Sequence, residues 1–169
     1  MREREVVTVR ATTAGEAEAL RELRLRALAQ APEAFASDIA GEVGHEPAHW
    51  ERLAAGVDRQ TVLVAQHRDG RLVGMVGGRW FDRERGVAQL WGLWVDPGLR
   101  GEGAGAALVA GLVEWAAGLG ARCLRLGVID PGGHGVTAFY RRLGFEVVGD
   151  RVPLRSDPSR LVTYMVRAL

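Results

Sequence analysis

The stretch Trp91-Gly-Leu-Trp-Val-Asp-Pro-Gly-Leu-Arg-Gly-Glu-Gly-Ala-Gly-Ala-Ala-Leu108 limits what this chain can fold into more than any other part of it. It begins inside an apolar run, Val87 to Val95, that reads as a buried strand. Asp96-Pro97 breaks the ladder, because proline has no N–H to give it. Gly101, Gly103 and Gly105 then lead directly into a helical pattern, with Leu108, Leu112, Trp115 and Leu119 on one face. A helix start presents unpaired N–H groups and roughly half a positive charge. Glycines leave no Cβ in the way of an approaching anion. The expected result is a site for a phosphate or diphosphate, with Arg100 adding a permanent cation at its mouth. The plain alternative is a helix start eased by glycine and holding no ligand.

The surrounding pattern places this turn inside an α/β chain. Val6 to Ala11 alternates as a short strand. Thr13 with Glu16 forms a capping-box signature, and a helix runs on through Ala29 with Leu20, Leu23 and Ala27 on one face. Ala31 to Gly44 reads as irregular, and Pro47 to Ala55 as a short helix with Pro47 at its first position. Strands follow at Val62 to His67, Arg71 to Phe81 and Gly86 to Val95, the first two joined by an Asp69-Gly70 hairpin turn. Past the Gly103 to Gly118 helix come a strand at Cys123 to Ile129 and a helix at Val136 to Leu143. Strands at Glu146 to Val152 and Leu161 to Arg167 close the chain. Strands interleaved with helices in this order imply a mixed sheet with helices on both faces.

Composition narrows the partners. The length of 169 residues suits one domain, expected to run over 1–169. A formal charge of +1 gives no electrostatic case for nucleic acid. Cys123 is the only cysteine, which excludes an internal disulfide and a cysteine-based zinc site. The first residues carry no apolar signal region, and no apolar run approaches the ~20 residues that span a bilayer. A cytoplasmic protein without a membrane partner is expected. Exposed strand edges leave a homodimer open.

At the phosphate-binding turn the chain resembles the GNAT N-acetyltransferases. Their signature Q/R-x-x-G-x-G/A is matched by Arg100, Gly103 and Gly105, and Leu93-Trp94-Val95-Asp96-Pro97 looks like their central strand and its exit. Downstream, Tyr140-Arg-Arg-Leu-Gly144-Phe145 is similar to the family's Y-x-x-x-G-F. The resemblance covers about residues 6 to 168 and is strongest from 86 to 148. It implies a GNAT-like acyl-CoA N-acyltransferase fold with a V-shaped splay at the centre of the sheet. The implied activity is transfer of an acetyl group from acetyl-CoA, as cosubstrate, to a primary amine of a small molecule or peptide. Carried over, the backbone of Leu93, Trp94 and Val95 pairs with the pantetheine arm like an added strand. Gly92 marks the bulge behind the splay. The backbone of Arg100, Gly101, Glu102, Gly103, Ala104, Gly105 and Ala106 holds the pyrophosphate. Tyr140 gives a proton to the departing thiolate, since a phenol with a pKa of about 10 is protonated at neutral pH. For Tyr140 alone the plain alternative is a core tyrosine beside Phe139 and Leu143.

Two departures from the family pattern stand out. The strand Val87 to Val95 carries no acid, and Gln89, its one polar side chain, cannot take up a proton. His134, Asp130 and Glu42 are the remaining candidates for the base that deprotonates the amine. In Asp130-Pro-Gly-Gly-His-Gly135, Gly133 and Val136 stand where many relatives place Asn and Ala. A non-catalytic CoA-binding or sensor domain on the same fold is therefore the second reading.

Two further patterns lead elsewhere. Gly101-x-Gly103-x-x-Ala106 also satisfies a dinucleotide fingerprint, but that turn needs its first glycine at the strand end, and here five residues follow Val95 first. His45-Glu-Pro-Ala-His49 matches H-E-x-x-H, which needs both imidazoles on one continuous helix. Pro47 puts His45 outside that helix, so no metal is expected there. On the acceptor side, Glu42 and Glu46 are candidates to attract a cationic amine, with Trp50, Trp80 and Trp91 as walls.

Overall fold

A computed structural model describes residues 7–129 and 133–169. The elements run β1 (Val7–Ala11), α1 (Ala17–Gln30), α2 (Ile39–Val43), α3 (Pro47–Ala55), β2 (Thr61–His67), β3 (Leu72–Asp82) and β4 (Val87–Val95). They continue with α4 (Ala104–Gly118), β5 (Cys123–Ile129), α5 (Gly133–Arg142), β6 (Glu146–Val147), β7 (Val152–Leu154) and β8 (Asp157–Ala168). Among the described residues the strands form one mixed sheet in the order β1-β2-β3-β4-β5-β8-β6, with β7 also on β8. Every pairing is antiparallel except β4 with β5.

Strand alternation explains why helices cover both faces. On β2, Leu63 and Ala65 join Leu108 and Leu112 of α4 in one core, while Val62 and Val64 join Leu20 and Leu23 of α1 in the other. Trp50 of α3 closes the second core at 2% exposure, so this short helix is fixed by packing rather than by propensity. Emptying the first core at Leu112, which is fully buried, costs about 2–5 kcal/mol as Leu112→Ala. The first helix is entered as expected: the Glu16 carboxylate accepts from the Thr13 N–H at 2.8 Å.

Three expectations change. The stretch read as irregular contains α2, started by Asp38, whose carboxylate accepts from the Gly41 N–H at 2.7 Å. Five residues are too few for a periodic signal. The strand expected over Glu146 to Val152 is two short strands, β6 and β7, because the chain turns at Gly149 with φ of 69°. The helix expected from Val136 begins earlier, at Gly133.

Candidate active site

The sheet opens at its centre. Strands β4 and β5 pair only at Val87 with Cys123, Ala88 with Leu124 and Gln89 with Arg125. Beyond Gln89 the two strands have no paired residues. Opposite, the register of β3 and β4 slips between Met75 and Gly77, where one residue of β3 faces two of β4. Gly92 sits in that bulge with φ of 65°, the conformation a glycine supplies at least cost. A bulge bends its strand and increases the twist, which turns β4 away from β5. The expected splay and its glycine are both present.

A cleft of about 690 Å³ fills this opening and extends to the start of α4. Leu93, Trp94, Val95, Arg100, Gly101, Gly103, Gly105, Ala106 and Tyr140 line it. Glu102 and Ala104 do not: Glu102 is exposed, and Ala104 packs into the core at 3% exposure. The helix mouth itself is open. Gly103 is the N-cap with φ of 92°, and among the described residues no side chain caps the amides behind it. A Cβ added at Gly101 or Gly103 would meet nothing within 4 Å. Both glycines serve conformation, and the space before the amides is clear.

Arg100 is more constrained than a free cation. Its Nε donates to the Val95 carbonyl at 3.0 Å and its Nη2 to Gln30 Oε1 at 2.9 Å. The same Gln30 oxygen accepts from the Trp94 indole at 2.9 Å. The guanidinium is thereby fixed at the strand exit. Asp96 closes the turn as its carboxylate accepts from the Gly98 N–H at 3.1 Å.

Tyr140 is 6% exposed, edge-on to Phe139 and Phe145 at ring separations of 5.1 and 5.6 Å. Burial pushes its phenol well above the ordinary value, because the phenolate is the form that loses most on leaving water. The group therefore stays protonated throughout the neutral range.

A second cavity, of about 350 Å³, adjoins the first at Leu90, Trp91, Gly92 and Gly127. Glu42, His45, His49, Trp50 and Trp91 line it, whereas Glu46 and Trp80 do not. Gln89 also faces it, with its oxygen held by Arg79 at 3.2 Å. Trp91 lies flat on Gly77, where a Cβ would sit 2.0 Å from the indole. Asp130 lies outside the described residues, and so does the side chain of His134. Glu42 is thus the one base candidate that the described structure places at the cavity.

Sequence reasoning missed Arg24 and the two histidines as a group. Arg24 is 5% exposed, on the α1 face that also carries Leu20, Leu23 and Ala27. A charge interrupting an apolar stripe was the available signal. Its Nε and Nη2 both donate to Glu42 Oε1, at 3.3 and 3.2 Å. Burial lowers the Arg24 pKa and Glu42 opposes that, leaving a cation under guanidine chemistry. His45 lies outside α3, as Pro47 requires, yet its ring stacks on His49 at 3.9 Å. Ligand atoms of Glu42, His45 and His49 fall within 4.8 Å of one another. The guanidinium already on Glu42 disfavours a second cation there. His49 is exposed, yet partial loss of water around its ring, and next His45, lower its pKa, so its imidazole is neutral at neutral pH.

A mixed sheet splayed beside a bulge, over an uncapped helix mouth, defines an acyl-CoA N-acyltransferase fold. The chain belongs to the Acetyltransferase (GNAT) family, whose model matches residues 21–145. It is 38% identical over 96 residues to an uncharacterised N-acetyltransferase of Methanocaldococcus jannaschii, a match covering 50% of this chain and 42% of that relative's length. A GNAT-family acetyltransferase structure from Streptococcus pneumoniae superposes with a TM-score of 0.78 at 20% identity, covering 96% of this chain and 99% of that one. A Salmonella typhimurium protein solved with its cofactor acetyl-CoA gives 0.74 at 21% identity, covering 98% and 95%. Among the described residues, no helix is long and apolar enough to cross a membrane.

Proposed function

We propose that this chain transfers the acetyl group of acetyl-CoA to a primary amine, of a small molecule or a peptide, by direct attack. The observation that carries the reading is the α4 mouth, free of side-chain caps and opening onto the same cleft as buried Tyr140. Amides behind Gly101 and Gly103 bind the diphosphate where a Cβ would otherwise project. The Asp96 N–H bonds across to Val73 at 2.8 Å, so by strand alternation the Val95 amide faces the opened side. That amide is the one to pair with the pantetheine arm, while Arg100 occupies the Val95 carbonyl. The thioester supplies the acetyl group. As the new C–N bond forms and the C–S bond breaks, Tyr140 donates its proton to the sulfur. Neutral His49, beside Glu42 and His45, accepts the proton that the amine sheds.

Calorimetric titration with CoA and thiol release with a panel of amines test this directly. Tyr140→Phe lowers turnover by roughly 10²- to 10⁴-fold while CoA affinity holds. A sensor domain on the same fold would bind CoA and show no turnover to lose. Absence of CoA binding sinks both readings.

A further inference from the structure

Three residues that line the second cavity carry buried donors with no partner among the described residues: Arg24 Nη1, Trp50 Nε1 and Trp91 Nε1. Every buried side-chain atom left without a partner among the described residues is a donor. A buried donor without a partner destabilises the fold, and more so when it is charged. Such a set calls for a ligand rich in acceptor atoms. Arg24 is the strongest of the three, with a side chain only 6% exposed. Its guanidinium carbon lies over the Phe35 ring, 4.8 Å from the centroid, and over the Trp91 ring at 5.6 Å. Glu42 occupies Nε and Nη2 through a single oxygen, so Nη1 is the end left over. That end lies next to Gly92, where a Cβ would come within 3.0 Å of Nη1. Gly92 borders both cavities, so Nη1 stands where acceptor and thioester meet.

The geometry points to an acceptor that carries a carboxylate close to its amine, with the carboxylate bound by Arg24 Nη1. This rests on the transferase reading and names its substrate class: free amino acids or similar amino carboxylates. A carboxylate offers only acceptors, which suits a cavity with an excess of donors, and its bond to guanidinium is charge-assisted. Glu42 keeps the buried guanidinium compensated while the cavity is empty and leaves its own second oxygen towards His45, 3.8 Å away. An acceptor ammonium is drawn to that oxygen before it loses its proton. The volume of about 350 Å³ and the tryptophan walls admit an apolar side chain of moderate size.

The test is a wild-type panel of glycine, alanine, leucine, methionine and phenylalanine. Each is assayed with acetyl-CoA beside its carboxamide and its decarboxylated amine, and rates are compared per neutral amine. The free acids are expected to exceed both counterparts by roughly 10- to 100-fold in kcat/KM. Arg24→Met combined with Glu42→Gln, which leaves no unpaired buried charge, removes that advantage and spares CoA affinity. Amides or simple amines turned over as well as the acids overturn the inference and leave the transferase reading standing. A preference for the free acids that survives in the double variant also overturns it. No thiol release from any member, with CoA still bound, overturns the inference; the transferase reading falls with it only when a wider panel of small-molecule and peptide amines also releases no thiol.

Discussion

The two ends of the cleft are made of different material. In the proposed reading, the groups that hold the diphosphate at the cofactor end are backbone amides from one continuous segment, where Gly101, Gly103, Gly105 and Ala106 bring small side chains or none. At the acceptor end they are large side chains from distant segments: Arg24 from α1, Glu42 from α2, Trp50 from α3 and Trp91 from β4. A diphosphate is common to every use of the cofactor, so a conformation can recognise it. An acceptor is particular, and recognising it takes chosen functional groups. Substitutions at the two ends should therefore separate cleanly, each changing the affinity of one substrate.

The largest separation is expected at Gly77, beneath Trp91. A Cβ there would lie 2.0 Å from the indole, and this ring is a wall of the acceptor cavity rather than the flexible tip of a chain. Gly77→Ala should displace Trp91, lower stability by about 1–3 kcal/mol through overpacking, and reduce kcat/KM for the acceptor by tenfold or more. CoA affinity, read by calorimetry, should fall much less. Equal losses for both substrates would erase the distinction between the ends.

At the opposite end, Gly103→Ala is the matching change. The residue has φ of 92°, and a side chain there costs about 1–2 kcal/mol of backbone strain while entering the space before the helix amides. CoA affinity should weaken by roughly tenfold, and the KM for the acceptor should hold. An unchanged CoA titration would remove the helix mouth from the binding site.

The same difference in material explains what the sequence made legible. Gly101, Gly103 and Arg100 lie within one short stretch, and their spacing alone announces a strand exit, a turn and a helix start. Tyr140 was readable because Gly144 and Phe145 follow it at a fixed distance. Gly92 announced the bulge for the same local reason. The acceptor end carries no such spacing. Arg24 meets Glu42, 18 positions further on, only because α1 and α2 fold over the splay, and the chain between them includes a stretch with no periodicity. Reading H-E-x-x-H correctly excluded a continuous helix at His45, yet it concealed that His45 still stacks on His49. The long strand expected after Glu146 failed at Gly149, where one positive φ outweighed an alternating pattern.

A smaller effect concerns protons at the acceptor end. His49 is held below its ordinary value of 6.5, with partial loss of water around its ring as the leading cause and the neighbouring His45 next. An NMR titration of the ring protons should give a midpoint below that value. The unfolded chain then takes up a proton at this site more readily than the folded one. Its contribution to stability is therefore lost as pH falls from about 6.5 towards the folded midpoint. A midpoint at or above 6.5 would remove His49 as the neutral acceptor of the amine proton and leave Glu42 in that role.

The smallest effect is expected outside both ends, and it calibrates the rest. Arg10 donates to both oxygens of Glu16, at 2.9 and 2.6 Å, and this pair is the main cause that holds the Glu16 carboxyl down at about 2. A carboxyl with a depressed folded value contributes stability above its unfolded value, near 4.5, and loses it as pH falls through about 2. The pair is partly exposed, so screening limits Glu16→Gln to a loss of about 1 kcal/mol or less at neutral pH. Urea midpoints at pH 7 and pH 3 should show that loss shrinking in acid, with CoA affinity and acceptor KM unchanged. If this remote substitution altered either substrate as much as Gly77→Ala or Gly103→Ala, those changes would report general loosening of the fold, and the division of labour between the two ends would have no support.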